Sequence, residues 1–115
     1  MSKRRNAYFA ASIIFLLSTI TTAYGLSYTG TKYGSEIHTN GSFISLKDNQ
    51  DDNQFPSVNY SFDQARQSSG FSNKSGYNTT VTMNAPAEVN GIQPCVSRYY
   101  ILPSNCGGWI GTPPK

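Results

Sequence analysis

Ser57-Val58-Asn59-Tyr60-Ser61-Phe62 places Val58, Tyr60 and Phe62 on one side of an extended chain and Ser57, Asn59 and Ser61 on the other. Side chains alternate across a strand with a period of two, so this stretch suits a sheet with one buried face and lacks the 3.6-residue spacing of a helix. Tyr77 to Met83 repeats the pattern, with Tyr77, Thr79, Val81 and Met83 opposed to Asn78, Thr80 and Thr82. Two further strands are expected. Ser42 to Lys47 follows the turn dipeptide Asn40-Gly41, and Val96 to Leu102 (V-S-R-Y-Y-I-L) lies between Pro94 and Pro103.

Outward from these strands the chain is rich in Ser, Asn, Gly and Thr, which disfavour helix interiors and favour turns and strands. Leu26 to Asn40 has glycine breaks and no steady period, so it is expected to be extended and loosely attached. Asp48 to Gln54 is wholly polar and reads as a loop. Asp63 to Gln67 has the length of one helical turn, after which Ser68 to Gly70 and Ser72 to Gly76 return to loop. Asn90-Gly91 marks another turn, and Gly107 to Lys115 holds too many breakers for a central strand. The expected fold is mainly β, a small antiparallel sheet or sandwich-like domain of about four or five strands with long polar loops. Residues 26–40 and 107–115 are its expected flexible segments.

An N-terminal signal helix is expected to precede that domain. Lys3, Arg4 and Arg5 are followed by Ala7 to Leu17, apolar apart from Ser12. That run of about 11 residues suits a signal h-region and falls short of the roughly 20 needed to span a bilayer. Small residues at Ala23 and Gly25 set cleavage before Leu26, which makes 1–25 the signal peptide and 26–115 the secreted domain. A cut after Ala23 and an uncleaved anchor are the alternatives. The expected location is therefore exported: periplasmic, cell-surface or extracellular.

Without Lys3, Arg4 and Arg5, the nine Lys and Arg fall to six and match the six Asp and Glu. The basic character of the chain thus belongs to the leader. A surface for nucleic acid gains no support from the domain, and membrane contact is expected only through the leader before cleavage. Roughly 90 residues make one small domain. Its aliphatic content is low, so rings such as Phe55, Tyr60 and Phe62 must supply much of the core, each burying about 150–250 Å².

Cys95 and Cys106 are expected to form one disulfide, as paired cysteines in exported chains do. Closing a loop of about a dozen residues stabilises by roughly 3 kcal/mol in the chain-entropy account. Arg98, Tyr99, Tyr100 and Trp109 fall in or beside that loop, and they are residue types that anchor protein interfaces and stack on sugars. They are the expected binding residues, for a protein or carbohydrate partner. The competing reading is that they complete a ring-rich core.

Catalytic and metal signatures are weak. His38 is the sole histidine, and base-assisted nucleophiles need an orienting third group. Asp48, Asp51 and Asp52 resemble a calcium-ligand run only loosely, since Asn53 stands where the loop glycine is required and Asn59 at the twelfth position. Four glycosylation acceptor patterns begin at Asn40, Asn59, Asn73 and Asn78. No catalytic residue, metal or cofactor is assigned. The expected function is a non-enzymatic exported interaction protein. A minor subunit of a surface fibre and a small secreted hydrolase using Asp63, Glu88 or another carboxylate are the alternatives. Edman sequencing of the exported protein is expected to begin at Leu26, and an intact Met1 or Ser2 would contradict the leader.

Overall fold

The alternation over 57–62 does what a half-buried strand requires. Val58 and Tyr60 are almost fully buried, Phe62 is 7% exposed, and Ser57 and Asn59 face away. The computed structural model describes residues 25–98 and 101–115, so residues 1–24, nearly all of the expected signal peptide 1–25, and the pair Tyr99 and Tyr100 lie outside the described residues. Within them run β1 (Ser27–Gly30), β2 (Ser35–Asn40), β3 (Phe43–Asp48), β4 (Gln54–Phe62) and β5 (Gln67–Ser72). β6 (Thr80–Asn84), β7 (Val89–Arg98), β8 (Ile101–Cys106) and β9 (Ile110–Gly111) follow. There is no helix among the described residues, and the nine strands exceed the four or five expected.

All pairings are antiparallel. One sheet has the order β1-β2-β3-β6; the other has β5-β4-β7-β8, with β9 paired to β7 below β8. β3 lies against β4, and β2 crosses β4 and β7. Ile37, Ile44 and Leu46 of the first sheet thereby meet Val58, Tyr60 and Ile92 of the second, all 3% exposed or less. Burying each aliphatic side chain contributes about 1.5–3 kcal/mol, so this seam outweighs any single surface contact. Tyr60 adds ring contacts to Phe62 and Phe71, with centroids 5.7 and 6.3 Å apart.

Several expectations are corrected. Residues 26–40 do not lie loose: they form β1 and β2, with Leu26 and Ile37 in the core. Their glycine-containing break is the β1–β2 turn, where Gly34 takes φ +66°. The polar run from Asp48 to Gln54 lends its ends to β3 and β4, and Asp48 is 3% exposed. Ser68 to Gly70, read as loop, lie within the edge strand Gln67–Ser72, which is held by its backbone pairing to β4 because its side chains bury too little to signal a sheet. Asn90-Gly91 is not a turn but lies inside β7. Gly91 is required there because a Cβ would collide with the carbonyl of Thr112, to which Ser61 Oγ donates at 2.6 Å. The expected strand from Val96 to Leu102 is split: Arg98 pairs with Ile101, so its halves belong to β7 and β8. Pro94 sits within β7, where its missing N–H coincides with the gap between β8 and β9, and its carbonyl accepts from Gly107 N. The expected strand at Tyr77 begins only at Thr80, since Asn78 takes φ 68° in the preceding turn.

The β4–β5 connection is the most unusual local structure. Asp63, Gln64 and Ala65 have φ of 59°, 55° and 63°, so the expected helical turn is left-handed. Each such non-glycine residue costs about 1–2 kcal/mol, and the surrounding contacts must hold the turn. Asn90 Oδ1 accepts from Ala65 N, Lys115 N donates to Ala65 O, and Arg66 pairs with Asp63 at 2.7 Å. Gln64 is exposed and makes none of these contacts. Gln64→Gly is therefore expected to raise the unfolding free energy by about 0.5–1 kcal/mol in urea denaturation, the relieved strain exceeding the added chain entropy. A loss of stability would contradict the account of the turn.

Candidate functional site

The outward half of the β4 alternation builds a surface that its inward half does not reveal. Register places Ser72, Ser57 and Cys95 in one row across β5, β4 and β7, with Cys106 of β8 next to Cys95. The next row is Gly70, Asn59 and Gln93. Small side chains in the middle of both rows leave a concavity of about 440 Å³ on the outer face of this sheet. Phe55 and Ser97, themselves register partners, close one end, and Lys74 stands at the rim.

The disulfide forms part of this wall. Cys95 and Cys106 are directly opposite one another with Cα atoms 4.0 Å apart, the closer spacing found at non-hydrogen-bonded positions of antiparallel strands. The expected pairing is thus present, and it staples β8 to β7 beside the concavity. It is compatible with an oxidising compartment.

Polar contacts order the floor. Ser57 Oγ and Ser72 Oγ share one hydrogen bond at 3.0 Å. Asn59 Nδ2 donates to Gln93 Oε1 at 2.9 Å, and Gln93 Nε2 donates to the Gly107 carbonyl, which ties the row to the segment after β8. Asn59 Oδ1 lies over Gly70, where a Cβ would come within 2.5 Å of it. Lys74 Nζ sits 4.9 Å from the centroid of Phe55, a cation–π contact worth about 0.5–1 kcal/mol at exposed sites. The loop that carries Lys74 is anchored by Asn73. That side chain is fully buried, donates to the carbonyls of Leu46 and Thr79, and accepts from Ser75 N. Asn73 is therefore closed to glycan attachment, whereas Asn40 and Asn78 are exposed.

Of the residues expected to bind, only Arg98 and Trp109 lie among the described residues. Arg98 follows Ser97 on β7, opposite Gln54, while Trp109 is half-buried between β8 and β9 and does not line the concavity. Phe55, Ser57, Asn59, Ser72 and Lys74 were not expected as site residues. The signal for Ser57 and Asn59 was present as the polar side of the β4 alternation. Lys74 had no signal beyond its place in an acceptor pattern.

Other candidates fall elsewhere. His38 is exposed on the outer face of the first sheet, 3.6 Å from Glu36. Asp63 is half-exposed, and its hydrogen bonds from Arg66 and Gln67 hold its carboxyl below the usual range. Among the described residues no three His, Cys, Asp or Glu side chains converge as a metal site. What the fold and surface define is a two-sheet antiparallel β protein with a stapled edge and a polar surface concavity. No family model matches the chain, and neither curated proteins nor solved structures match it.

Asp48, at the end of β3 and away from the concavity, gives the fold a pH dependence. Burial pushes its carboxyl above the ordinary 3.8, aided by Asp52 and Asp51 and opposed by the Gln50 N–H. The folded state then holds this proton more tightly than the unfolded one, so this residue's contribution falls as pH rises from 3.8 through the raised value. Asp48→Asn retains an acceptor for Gln50 and is expected to be more stable than the parent at pH 7, with the gain shrinking near pH 3 in parallel denaturation curves. A gain that grows on acidification would contradict the burial of this carboxyl.

Proposed function

We propose that the chain is an exported, non-enzymatic binding protein that works in the periplasm, on the cell surface or outside the cell. On this reading the leader is removed, and the domain meets its partner through the outer face of the β5-β4-β7-β8 sheet. The observation that carries it is the concavity at Ser57, Asn59 and Ser72, lined by hydroxyls, an amide and an aromatic ring beside the Cys95–Cys106 bridge. A rigid sheet that places a few polar groups around a pocket is the usual form of a small-ligand site. Arg98 ends β7, which contributes Cys95 and Ser97 to this site, and Arg98, Tyr99 and Tyr100 stay in the proposal as flanking contacts. The partner is a carbohydrate or a protein bearing one, and nucleic acid has no place in it, because the domain's charges balance.

A second reading, the minor subunit of a surface fibre, draws on a different feature. β5 and β6 are edge strands without a charged residue or a proline, and neither pairs on its outer side among the described residues. Such edges can accept another strand.

The oxidised domain, fluorescently labelled, can be measured for binding to the envelope and surface fraction of its source cells. Ser72→Tyr, which fills the concavity from the edge strand, is expected to lower that binding about tenfold while the far-UV spectrum and melting temperature stay near the parent's. Undiminished binding by this folded variant would contradict the site.

A further inference from the structure

We propose that the concavity takes an acidic saccharide, its carboxylate at Lys74 Nζ and its ring hydroxyls over Ser57, Ser72 and Asn59. This rests on the reading of the outer sheet face as a binding site and names its ligand class. The charge balance of the pocket points to an anion: Lys74 is its only charged described lining residue, and no described carboxylate lines it or pairs with that ammonium. The cation–π contact with Phe55 holds the ammonium at the rim instead of letting it sweep through solvent.

The floor has the chemistry of a polyol receptor. Each serine hydroxyl has one donor and two acceptor positions, so after the Ser57–Ser72 bond the pair retains one O–H and about three lone pairs. Asn59 spends its amide hydrogens on Gln93 and Cys95 Sγ, which leaves Oδ1 as an acceptor fixed over Gly70. Sugar hydroxyls both donate and accept, and they match such a mixed floor. A simple phosphate does not: it is best held by Arg forks or several backbone N–H groups, and the described lining side chains offer a single lysine. The volume of about 440 Å³ lies at the low end of ligand pockets, which run from roughly 300 to 1,000 Å³, and suits one or two sugar rings.

The test is a titration of the oxidised domain followed by amide NMR shifts, with glucuronic acid and N-acetylneuraminic acid as probes. Glucose, glucuronamide and inorganic phosphate serve as controls. At least one acidic sugar is expected to bind in the millimolar range, moving the amides of Ser57, Asn59, Gly70, Ser72 and Lys74, and to bind about tenfold more tightly than the neutral sugars. Lys74→Gln is expected to remove that preference while leaving the weak binding of glucose. Gly70→Ala, by displacing Asn59 Oδ1, is expected to weaken acidic and neutral sugars alike. Equal binding of glucuronate and glucose, phosphate binding as tight as the acids, or no shift with any sugar would overturn the ligand class. If no sugar binds while Ser72→Tyr still lowers surface binding, only the ligand class fails; if Ser72→Tyr has no effect, the site itself fails.

Discussion

The division of β4 into two chemically different faces is the constraint on which the rest depends. Its inward residues, Val58, Tyr60 and Phe62, are paired on one side to β5 and on the other to β7, and they pack against Ile37, Ile44 and Leu46 of the facing sheet. A period of two allows no compromise: once that set is buried, Ser57, Asn59 and Ser61 must point away from the interlayer core. The outer concavity is thus a by-product of core formation. A slip of one residue would put hydroxyls between the sheets and rings into solvent.

Fixing β4 fixes its neighbours in turn. β7 completes the second sheet, and its far edge is covered by β8, which the Cys95–Cys106 bridge holds in register, and by β9. Tyr33 of the β1–β2 turn reaches Gly107, where a Cβ would come within 2.7 Å of its ring, so the two sheets close against each other at this margin. The opposite margin is organised by one buried amide. Asn73 links β3 to the turn before β6 and so aims the Lys74 stem toward Phe55. A core of few aliphatic residues thereby relies on buried polar contacts to finish its ends.

The legible parts of the fold are those where burial writes a pattern. Val58, Tyr60 and Phe62 could be read because one face of β4 is fully buried, and Ile44 and Leu46 mark β3 in the same way. β5 was illegible because an edge strand of Gln, Ser and Gly is held by backbone hydrogen bonds, which any residue but proline can make. Asn40-Gly41 proved to be a turn and Asn90-Gly91 did not. Local preference decided the first, and the close approach of the C-terminal segment to Gly91 decided the second. The left-handed residues 63–65 run against local preference and depend on Asn90 and Lys115, distant in sequence. Of the site, the cysteine bridge was legible from residue type and the expected compartment. The concavity was not, because it arises from small residues brought level by register across three strands.

Native-state hydrogen exchange tests most directly whether β4 is the element on which the molecule is built. Because β4 is paired on both sides and backed by the buried seam, its amides and those of β7 should exchange slowest and open with one shared free energy equal to that of global unfolding. The edge strands β5 and β6 should open earlier. If the β4 amides exchange as fast as those of β6, or if the two sheets open as separate units, the seam between them does not govern this fold.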